Sequence, residues 1–260
     1  MKSDIDVLMP IRSPAPWLSE ALESLKAQTF HNWCLVAVIH GDDSELLTPL
    51  RDSGLNMKIV WAASKLTLAQ VLNLGLANCS ADLIARLDSD DIALPERFDE
   101  QYQALHMKSE NVMSYSPAIV INEFGSQVGY REVPVTSTQL VKSMLWKNSI
   151  IHSSVMFRRD LVNSLGGYST EASHTEDYQL WLRLLALGEG SVCINPGIKY
   201  RVHSRQVTKT TTISRASRKA IGTARNSFAR STGRSTTFSR LQQFIWASRQ
   251  IARQVYGLRL

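Results

Sequence analysis

A chain of 260 residues, 44% hydrophobic and 20% charged, is long enough to bury a core without a disulfide or a structural metal. Cys34, Cys79 and Cys193 are odd in number, far apart and form no CxxC pair, which argues against a disulfide framework or thiolate zinc site and suits a reducing compartment. The net charge of +6 conceals an asymmetry: 12 of the 29 Lys and Arg, and none of the 23 Asp and Glu, fall from Arg205 onward, so an acidic body precedes a strongly basic tail.

The chain opens with charged residues that run directly into an apolar stretch, and no uninterrupted apolar run approaches 18 residues, so a soluble cytoplasmic protein is the expectation. Apolar runs at 5–9, 34–39, 58–62 and 83–87 predict strands, and helical patterns at 16–28, 44–52, 67–78 and 95–108 lie between and after them. This alternation implies parallel βαβ units in an α/β domain. Near-continuous apolar strands imply a sheet covered on both faces, with ligands beyond the carboxyl ends of its strands. Further on, strands are expected at 112–122 and 127–132 around a turn at 123–126, then a helix at 137–145 and a strand at 153–158. An amphipathic helix at 176–187 and one or two short strands within 191–203 follow.

A linker rich in Thr, Ser and Arg at 206–217 leads into the tail. There Leu241, Phe244, Ile245, Ser248, Ile251, Val255 and Leu258 recur at helical spacing, with Arg240, Arg249 and Arg253 available to the other side. An amphipathic helix lying on an anionic membrane surface and a helix packed on the body both fit this pattern. Aromatic interleaving is thin and the body is acidic, so no nucleic-acid partner is expected.

Two acidic constellations carry chemistry. Asp88-Ser89-Asp90-Asp91 follows the apolar run 83–87, and strand alternation points Asp88 and Asp90 the same way. Two hard oxygen donors on one side suit Mg²⁺ or Mn²⁺, which keep positions open for phosphate oxygens; a solvated loop that helps start the next helix fits the same residues. Thr175-Glu176-Asp177 precedes an apolar-faced helix. Acids there favour the helix dipole and Thr175 suits an N-cap, while a rigid helix start is also a good mount for a catalytic base.

The segment 84–98, with Arg86, Asp88, Asp90, Asp91, Pro95 and Phe98, closely resembles the DxD region of bacterial family 2 glycosyltransferases, inverting enzymes of the GT-A fold. The resemblance covers residues 4–205. It implies a Rossmann-like mixed sheet flanked by helices, with a nucleotide-sugar-binding half over 1–110, an acceptor half over 111–205 and a basic helical extension over 206–260. By the same resemblance Asp88 and Asp90 contact ribose and a divalent metal, Mn²⁺ or Mg²⁺, with Asp90 the direct ligand, while Arg86 and Asp91 shape the site. Val7-Leu8-Met9-Pro10-Ile11-Arg12 is similar to the family's opening strand and loop, which puts Pro10 and Arg12 on the donor side. Asn73-Leu74-Gly75-Leu76 is similar to the element Arg-Asn-x-Gly-Leu, which puts Asn73 beside the donor; Leu72 stands where the arginine is usual.

His40-Gly41-Asp42-Asp43-Ser44 lies where the family commonly shows Asp-Asp-Gly-Ser. Asp42 or Asp43 either accepts from a uracil or thymine imide or caps the helix at 44–52, and both alternatives stand. Glu176-Asp177 resembles the acceptor-site motif, so Asp177 is the implied general base and Glu176 its neighbour, bonded to acceptor hydroxyls. His152, in His152-Ser153-Ser154-Val155, is implied to line the acceptor side. Tyr200-Arg201-Val202-His203 resembles the family's closing Tyr-Arg-x-His, in which His203 completes the metal shell or meets the diphosphate and Arg201 pairs with phosphate.

The implied function is transfer of a sugar from a UDP- or dTDP-sugar to a glycan or lipid-linked acceptor, in bacterial O-antigen, capsule or exopolysaccharide synthesis. A nucleotidyltransferase-like metal enzyme is the rival reading, but Pro10-Ile11-Arg12-Ser13-Pro14 is not the Gly-rich or basic phosphate loop such enzymes carry. The Gln-x-x-Arg-Trp motif of processive synthases is absent, which favours one sugar per encounter.

Overall fold

A computed structural model describes residues 2–204, 206 and 213–235. The chain begins with β1 (Ile5–Arg12), α1 (Leu18–Lys26), β2 (Trp33–His40), a 3-10 turn (Ser44–Leu46) continuing into α2 (Leu47–Asp52), β3 (Met57–Ala62), α3 (Leu68–Asn78) and β4 (Leu83–Arg86). Strands 1 to 4 are mutually parallel in the order β3-β2-β1-β4, as the strand–helix alternation implies. Alternation along β1 sends Val7, Met9 and Ile11 into one apolar layer and Leu8 into the other, so both faces of the sheet are covered. Leu18, Ala21, Leu22 and Leu25 recur at helical spacing and bury the inner face of α1 in the first layer. Thr67 and Gln70 form a reciprocal capping box that starts α3, which packs in the second.

Next come β5 (Ile92–Ala93), α4 (Arg97–His106), β6 (Asn111–Tyr115), β7 (Ala118–Ile121), β8 (Gln127–Arg131) and α5 (Ser137–Trp146). A 3-10 turn (His152–Ser154), β9 (Met156–Arg158), α6 (Arg159–Ser164), α7 (Glu176–Leu184), β10 (Glu189–Val192), β11 (Ile198–Arg201) and α8 (Arg215–Ser231) complete the described chain. The large sheet has seven strands in the order β10-β6-β9-β4-β1-β2-β3, made mixed by β9, which runs antiparallel to both β4 and β6. A second sheet of four strands, β5-β11-β7-β8, stands at the end where β4 leaves the first.

Several elements depart from their sequence patterns. The apolar run expected as one strand over 112–122 is two strands in different sheets. It divides at Ser116-Pro117, where proline offers no N–H to a ladder. The strand expected from 153 begins only at Met156, because His152–Ser154 close a 3-10 turn. β5 and α6 have two and six residues, too few for periodicity to announce them. The basic segment from Arg215 is an ordered helix, α8, packed on α7 through Ile221, Ala224, Phe228 and Ala229, where the sequence suggested linker as far as 217. The expected amphipathic helix over 241–258 lies outside the described residues. Among the described residues, no helix is long and apolar enough to cross a membrane.

Close approach of α3 to the sheet depends on Gly75. A Cβ there would overlap Leu8 Cδ1 and stand 2.8 Å from Val38 Cγ2. Alanine normally favours a helix interior over glycine by about 1 kcal/mol. Here overpacking dominates, and Gly75→Ala is expected to destabilise the protein by about 1–3 kcal/mol in urea unfolding. An unchanged midpoint would mean that α3 moves off the sheet without penalty.

Candidate active site

Because β1, β2 and β4 are parallel and in register at Arg12–His40 and Leu8–Arg86, their carboxyl ends open on one side of the sheet. Pro10 and Arg12 lie at the end of β1, Asp42 and Asp43 just past β2, and Asp88 just past β4. The two acids after β2 differ. Asp43 caps the 3-10 turn, its carboxylate accepting the Glu45 N–H at 3.0 Å, which is the capping alternative; Asp42 is exposed.

The carboxylate oxygens of Asp88, Asp90 and Asp91 lie within 4.8 Å of one another. Burial acts to raise the Asp88 carboxyl, but the charge and hydrogen bond of the Arg86 guanidinium and a hydrogen bond from the Ser153 hydroxyl (2.8 Å) hold it below its ordinary value. The Asp88 N–H donates in turn to Ser153 Oγ at 3.0 Å. Asp90 is pushed up by burial and then by the charge of Asp88; its Oδ2 meets His203 Nε2 at 2.9 Å. Asp91 is 1% exposed, accepts the Arg201 N–H at 2.8 Å on Oδ1 and has no hydrogen-bond partner on Oδ2. Burial and the charges of Asp90 and Asp88 push it well above the carboxylate range. Three crowded hard oxygen donors, two of them pushed to resist ionisation and one with a lone pair that has no hydrogen-bond partner, are a donor set that fits Mg²⁺ or Mn²⁺.

Arg201 faces differently from the phosphate partner expected of it. Its guanidinium is buried and donates to the carbonyls of Asp90 (2.9 Å), Asn122 (3.3 Å) and Glu123 (3.4 Å) and to the Glu20 carboxylate (2.8 Å). It therefore ties β11 to the Asp-rich loop, to α1 and to the β7–β8 turn. The same guanidinium lies 5.2 Å from the Trp17 ring centroid, and the His203 ring lies 4.6 Å from that ring.

Asp177 sits in the first turn of α7. Its Oδ1 accepts the Tyr178 N–H (2.6 Å) and its Oδ2 the Asn148 amide (2.8 Å). Burial raises the Asp177 carboxyl above its ordinary value, with these two hydrogen bonds acting against the rise. Thr175 occupies the N-cap position but does not cap; its hydroxyl donates to the Ala172 carbonyl at 2.9 Å. Glu176 is 6% exposed, its Oε2 has no hydrogen-bond partner, and burial followed by the charge of Asp177 pushes it up to about 7. His174, just before, is in the left-handed region at φ 63°, a conformation that costs a non-glycine residue about 1 kcal/mol or more.

An aromatic wall joins the two acidic groups. His152 Nε2 lies 3.0 Å from Tyr168 Oη, and both rings pack on Trp181. Burial, then the charge of Arg86, pushes His152 down to about 3, so it is a neutral imidazole near pH 7. Asn73, expected beside the donor, bonds the backbone of this wall. Its amide donates to the Tyr168 carbonyl and accepts the Tyr168 N–H, both at 2.8 Å, so it positions the tyrosine backbone. Asn148, Ser153 and Tyr168 are the members that sequence reasoning did not single out. Each meets its partner across 16 to 95 residues of chain, and no local spacing encodes such a meeting.

Comparison with known proteins places this geometry. The profile of glycosyl transferase family 2 matches residues 6–166. The amylovoran biosynthesis glycosyltransferase AmsE of Erwinia amylovora is 36% identical over 174 residues, 66% of this chain and 65% of that one, so the chain spans just under two thirds of that relative's length. A UDP-Gal:alpha-D-GlcNAc-diphosphoundecaprenol beta-1,3-galactosyltransferase of Escherichia coli is 31% identical over 183 residues, 68% of this chain and 66% of that one. Among solved structures, residues 1–349 of S. aureus TarS in complex with UDP-GlcNAc superpose with a TM-score of 0.71 at 14% identity, covering 98% of this chain and 74% of that one. At that identity the likeness is one of fold, and the fold is GT-A.

Burial of Glu176 makes stability depend on pH. The folded carboxyl keeps its proton up to about pH 7, whereas an unburied one releases it near 4.5. The folded state therefore holds the extra proton in that interval, and stability falls as pH rises through 7. Glu176→Gln removes the ionisation. Its thermal midpoint is expected a few degrees above wild type at about pH 8 and equal to it at about pH 4, below the unfolded pKa. Parallel pH dependence in the two proteins would assign the titration to other groups.

Proposed function

The chain belongs to glycosyl transferase family 2, and from that premise we propose that it moves one sugar at a time, with inversion, from a nucleoside-diphosphate sugar to a hydroxyl of a glycan or lipid-linked acceptor. The observation that carries this reading is the proximity of two acidic groups, the charge of Asp88 being near enough to act on Asp177. Asp88, Asp90 and Asp91 gather at the carboxyl end of β4, while Glu176 and Asp177 start α7. The first group suits a donor diphosphate with its cation, and the second suits an acceptor hydroxyl.

On the donor side, Pro10, Arg12 and Asp42 border the space open to the nucleotide base and ribose, with UDP- or dTDP-sugars the favoured donors. Asp88, Asp90 and His203 are the residues that would hold Mn²⁺ or Mg²⁺. When bound, the cation supplies charge that stabilises the departing diphosphate. Arg86 fixes Asp88 from beneath, and Ser153 holds both its carboxylate and its N–H.

On the acceptor side, Asp177 takes the proton of the attacking hydroxyl, a contribution worth about 10²–10⁴-fold. Its burial makes it a stronger base than an exposed aspartate, and Asn148 and the Tyr178 N–H hold its two oxygens in place. Glu176 Oε2, buried without a hydrogen-bond partner, accepts from an acceptor hydroxyl in this reading, and the neutral His152 lines the same side. Attack from the side opposite the leaving diphosphate inverts the anomeric carbon. Residues 1–205 carry the catalytic groups in this reading, α8 of the basic extension 206–260 packs on them, and the extension's basic residues beyond α8 attach the protein peripherally to the inner face of an anionic membrane, where a lipid-linked acceptor is presented. Relatives named for amylovoran biosynthesis and for a diphosphoundecaprenol acceptor support a role in surface polysaccharide.

A thermal-shift panel of UDP-, dTDP- and GDP-sugars with and without Mn²⁺ tests the donor side. A ligand at a hundredfold excess over Kd stabilises the folded state by about 2.7 kcal/mol. The expected result is a Mn²⁺-dependent shift with one nucleotide class, lost in Asp90→Ala. Asp177→Asn is expected to lower transfer by about 10²–10⁴-fold while keeping that shift. Wild-type turnover in Asp177→Asn would put the base elsewhere, and a product that retains the donor's anomeric configuration would refute single displacement.

A further inference from the structure

Asp177 is held from outside its own helix. The residue that organises this hold is Arg225 of α8, which is fully buried, 47 residues from Tyr178 and 79 from Trp146 in sequence. Its Nε donates to Tyr178 Oη at 2.9 Å, its Nη2 donates to the Trp146 carbonyl at 3.0 Å, and its guanidinium lies 5.2 Å from the Tyr178 ring centroid. Tyr178 Oη in turn donates to the Met144 carbonyl at 2.5 Å. The last turn of α5 thus has two carbonyls bonded through the Tyr178–Arg225 pair. A helix leaves these carbonyls without internal partners, and its negative end favours a cation.

What the arrangement connects gives it a function. Two residues beyond Trp146 stands Asn148, whose amide holds Asp177 Oδ2, and Tyr178 is the next residue after Asp177. Trp146, Asn148, Asp177, Tyr178 and Arg225 therefore close a ring, and the arginine is the only member on a third element. A second fastening lies one end of α8 away. The Ser217 hydroxyl meets the carbonyls of Glu171 (3.2 Å) and Ser173 (3.1 Å), on the loop that turns through His174 into Glu176. Packing alone does not call for this chemistry. Ile221, Ala224 and Phe228 already fill the α8 interface, and a buried cation is costly unless its hydrogen bonds are met.

We propose that Arg225 is a positioning residue for Asp177, locking the end of α5 against the start of α7 so that Asn148 and the carboxylate keep their geometry. This rests on the reading of Asp177 as the base. Misplacement of a catalytic group by about 1 Å costs on the order of 10²-fold in rate. The test uses the full chain and follows nucleoside-diphosphate release from the UDP-, dTDP- or GDP-sugar that wild type turns over, with thermal midpoints measured in parallel. Arg225→Met is expected to lower kcat by about 10–100-fold with donor KM within about threefold, and Arg225→Lys to recover part of the loss. Phe228→Leu trims the same interface without touching the ring and is expected to lower the thermal midpoint while leaving kcat within about twofold. Should Arg225→Met fail to fold, Tyr178→Phe removes the hydroxyl at the centre of the ring and is expected to show the same split between kcat and KM. Loss of kcat in Arg225→Met or Tyr178→Phe no greater than in Phe228→Leu overturns the positioning role. With Asp177→Asn inactive, that result overturns the positioning role alone; wild-type turnover in Asp177→Asn overturns the base assignment and the positioning role with it.

Discussion

Three carboxylates crowded at the end of β4 repel one another, and much of the polar interior is disposed around that repulsion. A buried guanidinium from β4 itself meets Asp88, a backbone N–H of β11 meets Asp91, and an imidazole from just past β11 meets Asp90. None of these contacts neutralises the group as a whole, since Asp90 and Asp91 still resist ionisation. The negative field at this strand end is therefore set by the fold itself.

The second sheet follows from this constraint. Strand β5, only two residues long, turns the chain out of the Asp-rich loop and pairs with β11, which brings Arg201 back beneath the acids. Arg97, also buried, donates to the carbonyls of Arg86 and Val155, and burial lowers it to about 9. These arginines act on backbone carbonyls as well as on charge. They lock the strand end against β9 and β11, so the positions of the carboxylates follow from rigid elements and not from a free loop.

The acidic pair that starts α7 is built on a different principle. Asp177 and Glu176 take their places from a helix terminus, and the surroundings raise both by burial while leaving one Glu176 oxygen without a partner. Between the two sides, His152, Tyr168 and Trp181 form a wall whose backbone is anchored by Asn73.

Local patterns in the sequence determined the α/β alternation, the acidic run at a strand end, the acidic pair at a helix start and the basic tail. Strand and helix periods, and charges within four residues of each other, are properties of short segments, so they are legible before the chain is folded. Tertiary structure alone decided the rest. It divided one apolar run at Pro117 between two sheets, turned Arg201 inward, and made Asp43 a cap beside an exposed Asp42. It also set Asn73 against Tyr168, Asn148 against Asp177 and Arg225 against Tyr178. These pairings span 29 to 95 residues and depend on which faces pack together. A polar side chain hydrogen-bonds whatever partner burial leaves within reach, and that partner exists only once the layers have closed.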